Sequence, residues 1–270
     1  MNNYYLPQKA TIKEIRKFTS LIKSYTLELD GRKIFSFIPG QFIMVSLSGY
    51  GEAPFGIASS PFRNKEIKIC VRRVGVVTNA LDCLKVGDKI GLRGPFGNGF
   101  PIQELENKDI IMVAGGTGIA PIASLVEYLI TFRPKFNKIY LLYGARTPND
   151  LLFFSEFKRW NKFIKLCLTV DQPDKNWQKN IGLVTTLCST IQVDCRNTKV
   201  IMCGPPIMYK SMCKELNKLK ITDDNIYVSL ERRMRCGIGK CQHCSFGNKY
   251  VCLNGPVFKY SEIKNIPEEG

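Results

Sequence analysis

Four cysteines stand within seventeen positions near the end of the chain: Cys236, Cys241, Cys244 and Cys252, separated by four, two and seven residues. Thiolates in a Cys-x4-Cys-x2-Cys order followed by a fourth cysteine can hold a [2Fe–2S] cluster. Four cysteines, or three with His243, can equally hold a structural zinc. A Rieske centre needs two histidines, and His243 is the only one in the chain. Gly237 and Gly239 allow a tight loop whose backbone N–H groups turn toward the sulfurs. The other seven of the eleven cysteines are scattered singly and read as small buried hydrophobes. An odd total suits a reducing compartment, so the sequence predicts a cytoplasmic protein.

Two further stretches have the residue types of phosphate-binding turns. "VAGGTGIAP" at 113–121 joins a strand, a glycine-rich turn and a helix start. Gly115, Gly116, Thr117 and Gly118 there let a diphosphate approach the backbone and the first turn of the helix. "CGPP" at 203–206 repeats the arrangement after a later apolar run. "GEAPFGIASSP" at 51–61 and "RRVGVVTNAL" at 72–81 could border a flat heterocycle and its phosphate, although a barrel strand and a capped helix account for both as well.

These turns need elements to hold them. Up to residue 103 the pattern is short alternating stretches broken by Gly and Pro, such as "SYTLELD" and "QFIMVSL", which predicts an N-terminal antiparallel β-barrel. From 104 to 230, continuous apolar runs such as "DIIMVAG" and "KIYLLYG" alternate with helical stretches, which predicts an α/β doubly wound parallel sheet. The cysteine loop follows in a small segment, 231–270. No apolar run is long enough to span a membrane. The 39 Lys and Arg against 23 Asp and Glu give a net charge of +16. The cations are spread among acids without a basic block, so nucleic acid is not the expected partner. From Arg232 to Ser261, however, there are six cations and no acid. Such a collar can steer an acidic partner toward the cysteine loop.

Together these residues resemble the ferredoxin–NADP reductase superfamily over essentially the whole chain. The family's barrel signature falls on Ala53, Pro54, Phe55 and Gly56, its phosphate turn on 75–78, its glycine loop on 115–121 and its Cys-Gly-Pro on 203–205. The appended cysteine loop narrows the likeness to electron-transfer subunits of the [NiFe] sulfhydrogenase gamma type. The corresponding electron-transfer subunits of anaerobic sulfite reductase and of dihydroorotate dehydrogenase are next.

The resemblance implies FAD, with FMN as the lesser expectation, together with a [2Fe–2S] cluster on the four cysteines and NAD(P)H as substrate. The implied partner is the catalytic subunit of a hydrogenase or sulfite reductase type complex. The flavin is expected between Pro54, Phe55, Gly56, Ile57, Ala58 and Ser59 on one side and Cys70, Val71 and Arg72 on the other. Gly75, Val77 and Thr78 are expected at its phosphate. The dinucleotide would lie over 115–118, with Gly204, Pro205 and a catalytic Cys203 near the nicotinamide. Arg146 would welcome a ribose 2′-phosphate, and Asp171 would oppose one.

Chemistry supports the flavin independently: nicotinamide gives up two electrons at once, an iron–sulfur cluster accepts one, and something must convert between them. One departure stands out, since the family's flavin-anchoring Arg and Tyr are Ala53 and Phe55 here. Arg72 is the candidate to replace the lost cation. The rival of a different class is a zinc-tailed nucleotide-binding module without turnover.

Overall fold

A computed structural model describes residues 4–31, 33–63 and 65–266; the ends of the predicted segments, 1–3 and 267–270, lie outside them. The first six strands are β1 (Gln8–Lys17), β2 (Ile22–Leu29), β3 (Phe42–Leu47), β4 (Gly51–Gly56), β5 (Ile67–Arg72) and β6 (Lys89–Phe96), with helix α1 (Val76–Asp82) between the last two. They form one antiparallel sheet in the order β4-β3-β6-β1-β2-β5. The sheet curls so that its two end strands meet at a single bridge, Ile57 to Ile69, reinforced by the Ala58 N–H to the Lys68 carbonyl at 2.7 Å. Beyond that bridge β4 and β5 diverge, and the predicted barrel has an open seam.

The second layer holds α2 (Ile102–Leu105), β7 (Asp109–Gly115), α3 (Ile119–Thr131), β8 (Ile139–Ala145), α4 (Phe154–Trp160), β9 (Lys165–Val170), β10 (Asn180–Ile181), β11 (Thr198–Cys203), α5 (Pro206–Lys218) and β12 (Ile226–Ser229). The chain ends in a two-stranded hairpin, β13 (Ser245–Phe246) and β14 (Lys249–Tyr250), then α6 (Val251–Asn254), β15 (Val257–Lys259) and α7 (Tyr260–Ile263). The large sheet runs β10-β9-β8-β7-β11-β12-β15, parallel except for β15, which pairs antiparallel with β12. The cysteine segment therefore completes the sheet that precedes it. Among the described residues no helix is long and apolar enough to cross a membrane.

Strand alternation decides which cores these elements share. Ile43, Val45 and Leu47 of β3 face the barrel interior. Phe42 and Met44 point the other way, into a core with Val113, Met202, Cys244, Phe246 and Cys252. On β7, Ile111 and Val113 join that same core, while Ile110, Met112 and Ala114 face the α3 side. Being buried on both faces explains why β7 reads as an unbroken apolar run. On the α3 side Ala58, Phe18, Ile22 and Cys70 of the barrel pack into the second layer's core.

A polar clamp secures the cysteine segment. Asn98, just past β6, donates from its side-chain amide to the carbonyls of Val257 (2.7 Å) and Asn254 (3.3 Å) and accepts from the Val257 N–H at 3.2 Å. Its own N–H reaches the Gly255 carbonyl at 2.8 Å. Asn98 is solvent-exposed, so Asn98→Ala is expected to cost about 1–2 kcal/mol, measured by chemical denaturation. Limited proteolysis should then cut first within the cysteine segment.

Candidate functional site

The two glycine turns lie side by side at the carboxyl ends of β7 and β11, where ligands of open α/β sheets bind. Gly116–Gly118 makes one 3-10 turn that runs directly into α3. A Cβ on Gly118 would sit 2.2 Å from the Cys203 carbonyl oxygen, and one on Gly115 would sit 3.0 Å from Pro205. Only glycine permits that approach. On its open side Gly116 has a φ of +54° and space where a side chain would be. The turns border a cavity of about 860 Å³, within the range of small-molecule and cofactor sites. Its walls include Gly115, Gly116, Thr117, Gly118, Gly204 and Pro205, all anticipated from sequence, and also Arg72, Arg146 and Asp171.

Two buried tyrosines back these turns. The Tyr143 hydroxyl donates to the Gly116 carbonyl and accepts from the Leu152 N–H; the Tyr209 hydroxyl donates to the Ser229 carbonyl and accepts from the Gly204 N–H. Burial raises both phenols well above their ordinary range, so both stay protonated donors. Sequence reasoning passed over them because a tyrosine inside an apolar run is indistinguishable from core.

Other expectations are corrected. Cys203 is 1% exposed and packs in the α3-side core, and burial raises its thiol. It is not among the cavity walls, and its backbone carbonyl faces Gly118. Ile57 and Val71 point into the barrel core and can offer only backbone groups. The Ser59 hydroxyl accepts from the Lys68 N–H. Thr78 spends its hydroxyl as a cap, accepting from the N–H groups of Val74 (2.9 Å) and Gly75 (2.8 Å) and donating to the Gly75 carbonyl. Arg72 lies on the dinucleotide cavity. Arg93, a buried arginine of β6, is held bidentately by Glu52 of β4 and donates to the Tyr4 carbonyl, so it is already engaged and does not replace the cation absent at Ala53.

The residues present nevertheless fit a flavin. Past the Ile57–Ile69 bridge the open seam turns the backbone of Pro54, Phe55 and Gly56 toward that of Cys70 and Arg72, and a heterocycle with donors and acceptors at its edge can bond there. Phe55 is half-buried against the barrel core. Ala58 and Cys70 line the junction with the second layer, where burial pushes the Cys70 thiol up to about 12. Gly56 approaches Pro121, to which a Cβ would be 3.6 Å away. Val74 and Val76 flank Gly75 with exposed apolar side chains (75% and 68%), and Val77 lies under Gly51. A bound cofactor would cover that apolar patch.

The cysteine loop is built from N–H to sulfur contacts. Ile238, Lys240 and Cys241 donate to the Cys236 sulfur at 3.5, 3.3 and 3.4 Å, Gly239 to Cys252 at 3.1 Å, and Cys252 to Cys244 at 3.4 Å. Burial works against a thiolate at Cys236, but these N–H groups and the Cys241 thiol outweigh it and bring Cys236 down to about 6. Burial and the adjacent Cys244 thiol push Cys252 up to about 12. Cys236 interacts with Cys241, and Cys252 with both Cys244 and Cys236. Among the described residues no three His, Cys, Asp or Glu side chains are placed to hold one ion. Four thiols gathered in one loop are a donor set that a [2Fe–2S] cluster can use. Cys244 and Cys252 are buried, whereas Cys241 is exposed. The loop rests on the barrel: a Cβ on Gly237 would lie 3.0 Å from Met44 and 3.3 Å from Phe96.

Comparison with known proteins finds three matched stretches. Residues 9–100 match the oxidoreductase FAD-binding domain, 112–214 the oxidoreductase NAD-binding domain, and 231–264 the iron–sulfur cluster binding domain of dihydroorotate dehydrogenase B. The sulfhydrogenase 2 subunit gamma of Pyrococcus furiosus is 39% identical, with 96% of each chain covered. A probable dihydroorotate dehydrogenase B (NAD(+)) electron transfer subunit of Methanocaldococcus jannaschii is 35% identical over 98% of this chain and 94% of its own. Among solved structures, an NADH-dependent reduced ferredoxin-NADP oxidoreductase superposes with a TM-score of 0.76 at 25% identity, covering 98% of this chain and 94% of that one. The cytochrome b5 reductase domain of Ulva prolifera nitrate reductase shares the fold at 20% identity, with a TM-score of 0.71 over 84% and 97% of the two chains.

The turn geometry makes Gly118→Ala a sharp test. The added Cβ must displace the Cys203 carbonyl, so the substitution is expected to destabilise the protein by about 1–3 kcal/mol. Dinucleotide affinity should fall on the order of tenfold, read by thermal shift and by ADP-ribose titration.

Proposed function

The chain belongs to the ferredoxin–NADP reductase superfamily, among the electron-transfer subunits that join FAD-binding, NAD-binding and iron–sulfur segments. On that premise we propose that it passes electrons between NAD(P)H and a partner catalytic subunit. The observation that carries this reading is the shared core: the cysteine loop packs on Met44 of β3, and Met44 pairs with Pro54 of β4 at the edge of the open seam. A hydrogenase-type partner is favoured because the sulfhydrogenase gamma relative shares more residues with this chain than the dihydroorotate dehydrogenase B relative does. The latter's partner is the alternative, and sulfite reductase the third.

In this reading 1–103, 104–230 and 231–270 are the flavin, nicotinamide and cluster segments. The N–H groups of Gly116, Thr117 and Gly118 receive the diphosphate, aided by the first turn of α3 and by Arg72 on the cavity wall, with Arg146 at the ribose 2′ position. Gly204 and Pro205 border the nicotinamide end. Backbone groups along the seam hold the flavin, Gly75 and Val77 lie at its phosphate, and Cys236, Cys241, Cys244 and Cys252 hold the [2Fe–2S] cluster. When bound, a flavin exchanges electrons in pairs with nicotinamide and singly with an iron–sulfur cluster. The side chains of this chain supply position and exclusion of water rather than acid–base groups. Phe62 stacking on Tyr128 at 5.7 Å and Pro121 against Gly56 close the junction between the layers. The eleven free cysteines support a cytoplasmic location.

Protein purified without oxygen should carry about two irons and one flavin per chain. Cys241→Ser should reduce electron delivery to a one-electron acceptor protein to background while NAD(P)H oxidation by a flavin-level dye continues. Equal loss of both activities, or zinc in place of iron, would overturn the reading.

A further inference from the structure

A glycine turn has no side chain with which to hold its own peptide planes. The Gly116 carbonyl, at a positive φ, accepts from the Ile119 N–H within the turn, and each turn on the cavity is also held from behind by a phenol. Tyr143 of β8 is fully enclosed and links the Leu152 N–H (3.1 Å) to the Gly116 carbonyl (3.2 Å). Tyr209 of α5 is 5% exposed and links the Gly204 N–H (3.1 Å) to the Ser229 carbonyl (2.7 Å).

In a planar trans peptide the carbonyl and the following N–H point in opposite directions. Drawing the Gly116 carbonyl inward to Tyr143 therefore turns the Thr117 N–H outward, to the cavity. By the same rule, drawing the Gly204 N–H to Tyr209 directs the Cys203 carbonyl toward Gly118, where it is found. The two hydroxyls set adjoining turns on one cavity. Tyr140, on the same strand as Tyr143, bonds instead to Gln192, away from the turns.

We infer that Tyr143 and Tyr209 are positioning residues that divide the dinucleotide site, Tyr143 setting the turn that receives the diphosphate and Tyr209 the turn beside the nicotinamide. This rests on the NAD(P)H reading above. ADP-ribose, which carries the diphosphate without the nicotinamide, separates the two roles.

Calorimetric titration of the full chain with ADP-ribose should show Tyr143→Phe binding about five- to tenfold more weakly, with Tyr209→Phe and the control Tyr140→Phe unchanged. In NADH oxidation Tyr143→Phe should raise KM at constant kcat, and Tyr209→Phe should lower kcat at constant KM. Equal ADP-ribose affinity in folded Tyr143→Phe and wild type, or the same loss in all three variants, overturns the assignment. If Tyr143→Phe does not fold, hydrogen exchange on the wild type decides. ADP-ribose should slow exchange of the Leu152 amide, which is not on the cavity wall, and unchanged exchange there overturns the role of Tyr143. Wild-type protein that fails to bind ADP-ribose overturns the nucleotide reading itself, and this inference with it.

Discussion

One apolar core fixes the relation of all three segments. Met44 and Phe96 enter it from the barrel, Val113 and Met202 from the large sheet, and Cys244, Phe246 and Cys252 from the cysteine loop. Its members are close-packed from three directions, and shifting any one segment would open voids against the other two. Electron transfer between sites needs short, constant separations, and this packing supplies them without a rigid linker. The polar contacts are secondary and local: Asn98 clamps one end of the cysteine segment, and N–H groups to sulfur shape its loop.

The division of labour between side chain and backbone follows from what each site must bind. The nucleotide turns and the flavin seam present mostly backbone groups, because extended planar or phosphorylated ligands match rows of N–H and C=O. Side chains of the same segments are directed away from the ligand, as with Ile57 and Val71 in the barrel core, Cys203 under the turn and Thr78 capping α1. The metal-binding loop reverses this. There the side chains would be the ligands, and backbone N–H groups support their sulfurs.

That reversal explains what was legible in the sequence. The four cysteines were legible because a metal constrains residue type and spacing together. The strand pattern was also legible, since burial on one face or two leaves an alternating or a continuous apolar signature. Individual flavin and nucleotide contacts were only partly so, because a backbone site fixes chain path and leaves the identity of many of its residues free. Ala53 and Phe55 stand at positions where the family has Arg and Tyr. Tyr143, Tyr209 and Asn98 were invisible for a different reason: their hydrogen-bond partners are 5 to 159 residues away in sequence and are backbone groups of no distinctive type. The strand β15 was missed because three residues carry no periodicity.

That short strand has a consequence for how the protein is made. β15 covers the outer edge of β12, and without it the large sheet would end in an unpaired parallel strand, a template for association with other chains. The residues that form β15 are held in place by the same segment that gathers the thiols. The large sheet is therefore finished only when the cysteine segment docks, and a metal bound by that segment would favour the docked form by mass action. Undocking of that segment would leave the β12 edge of the sheet open.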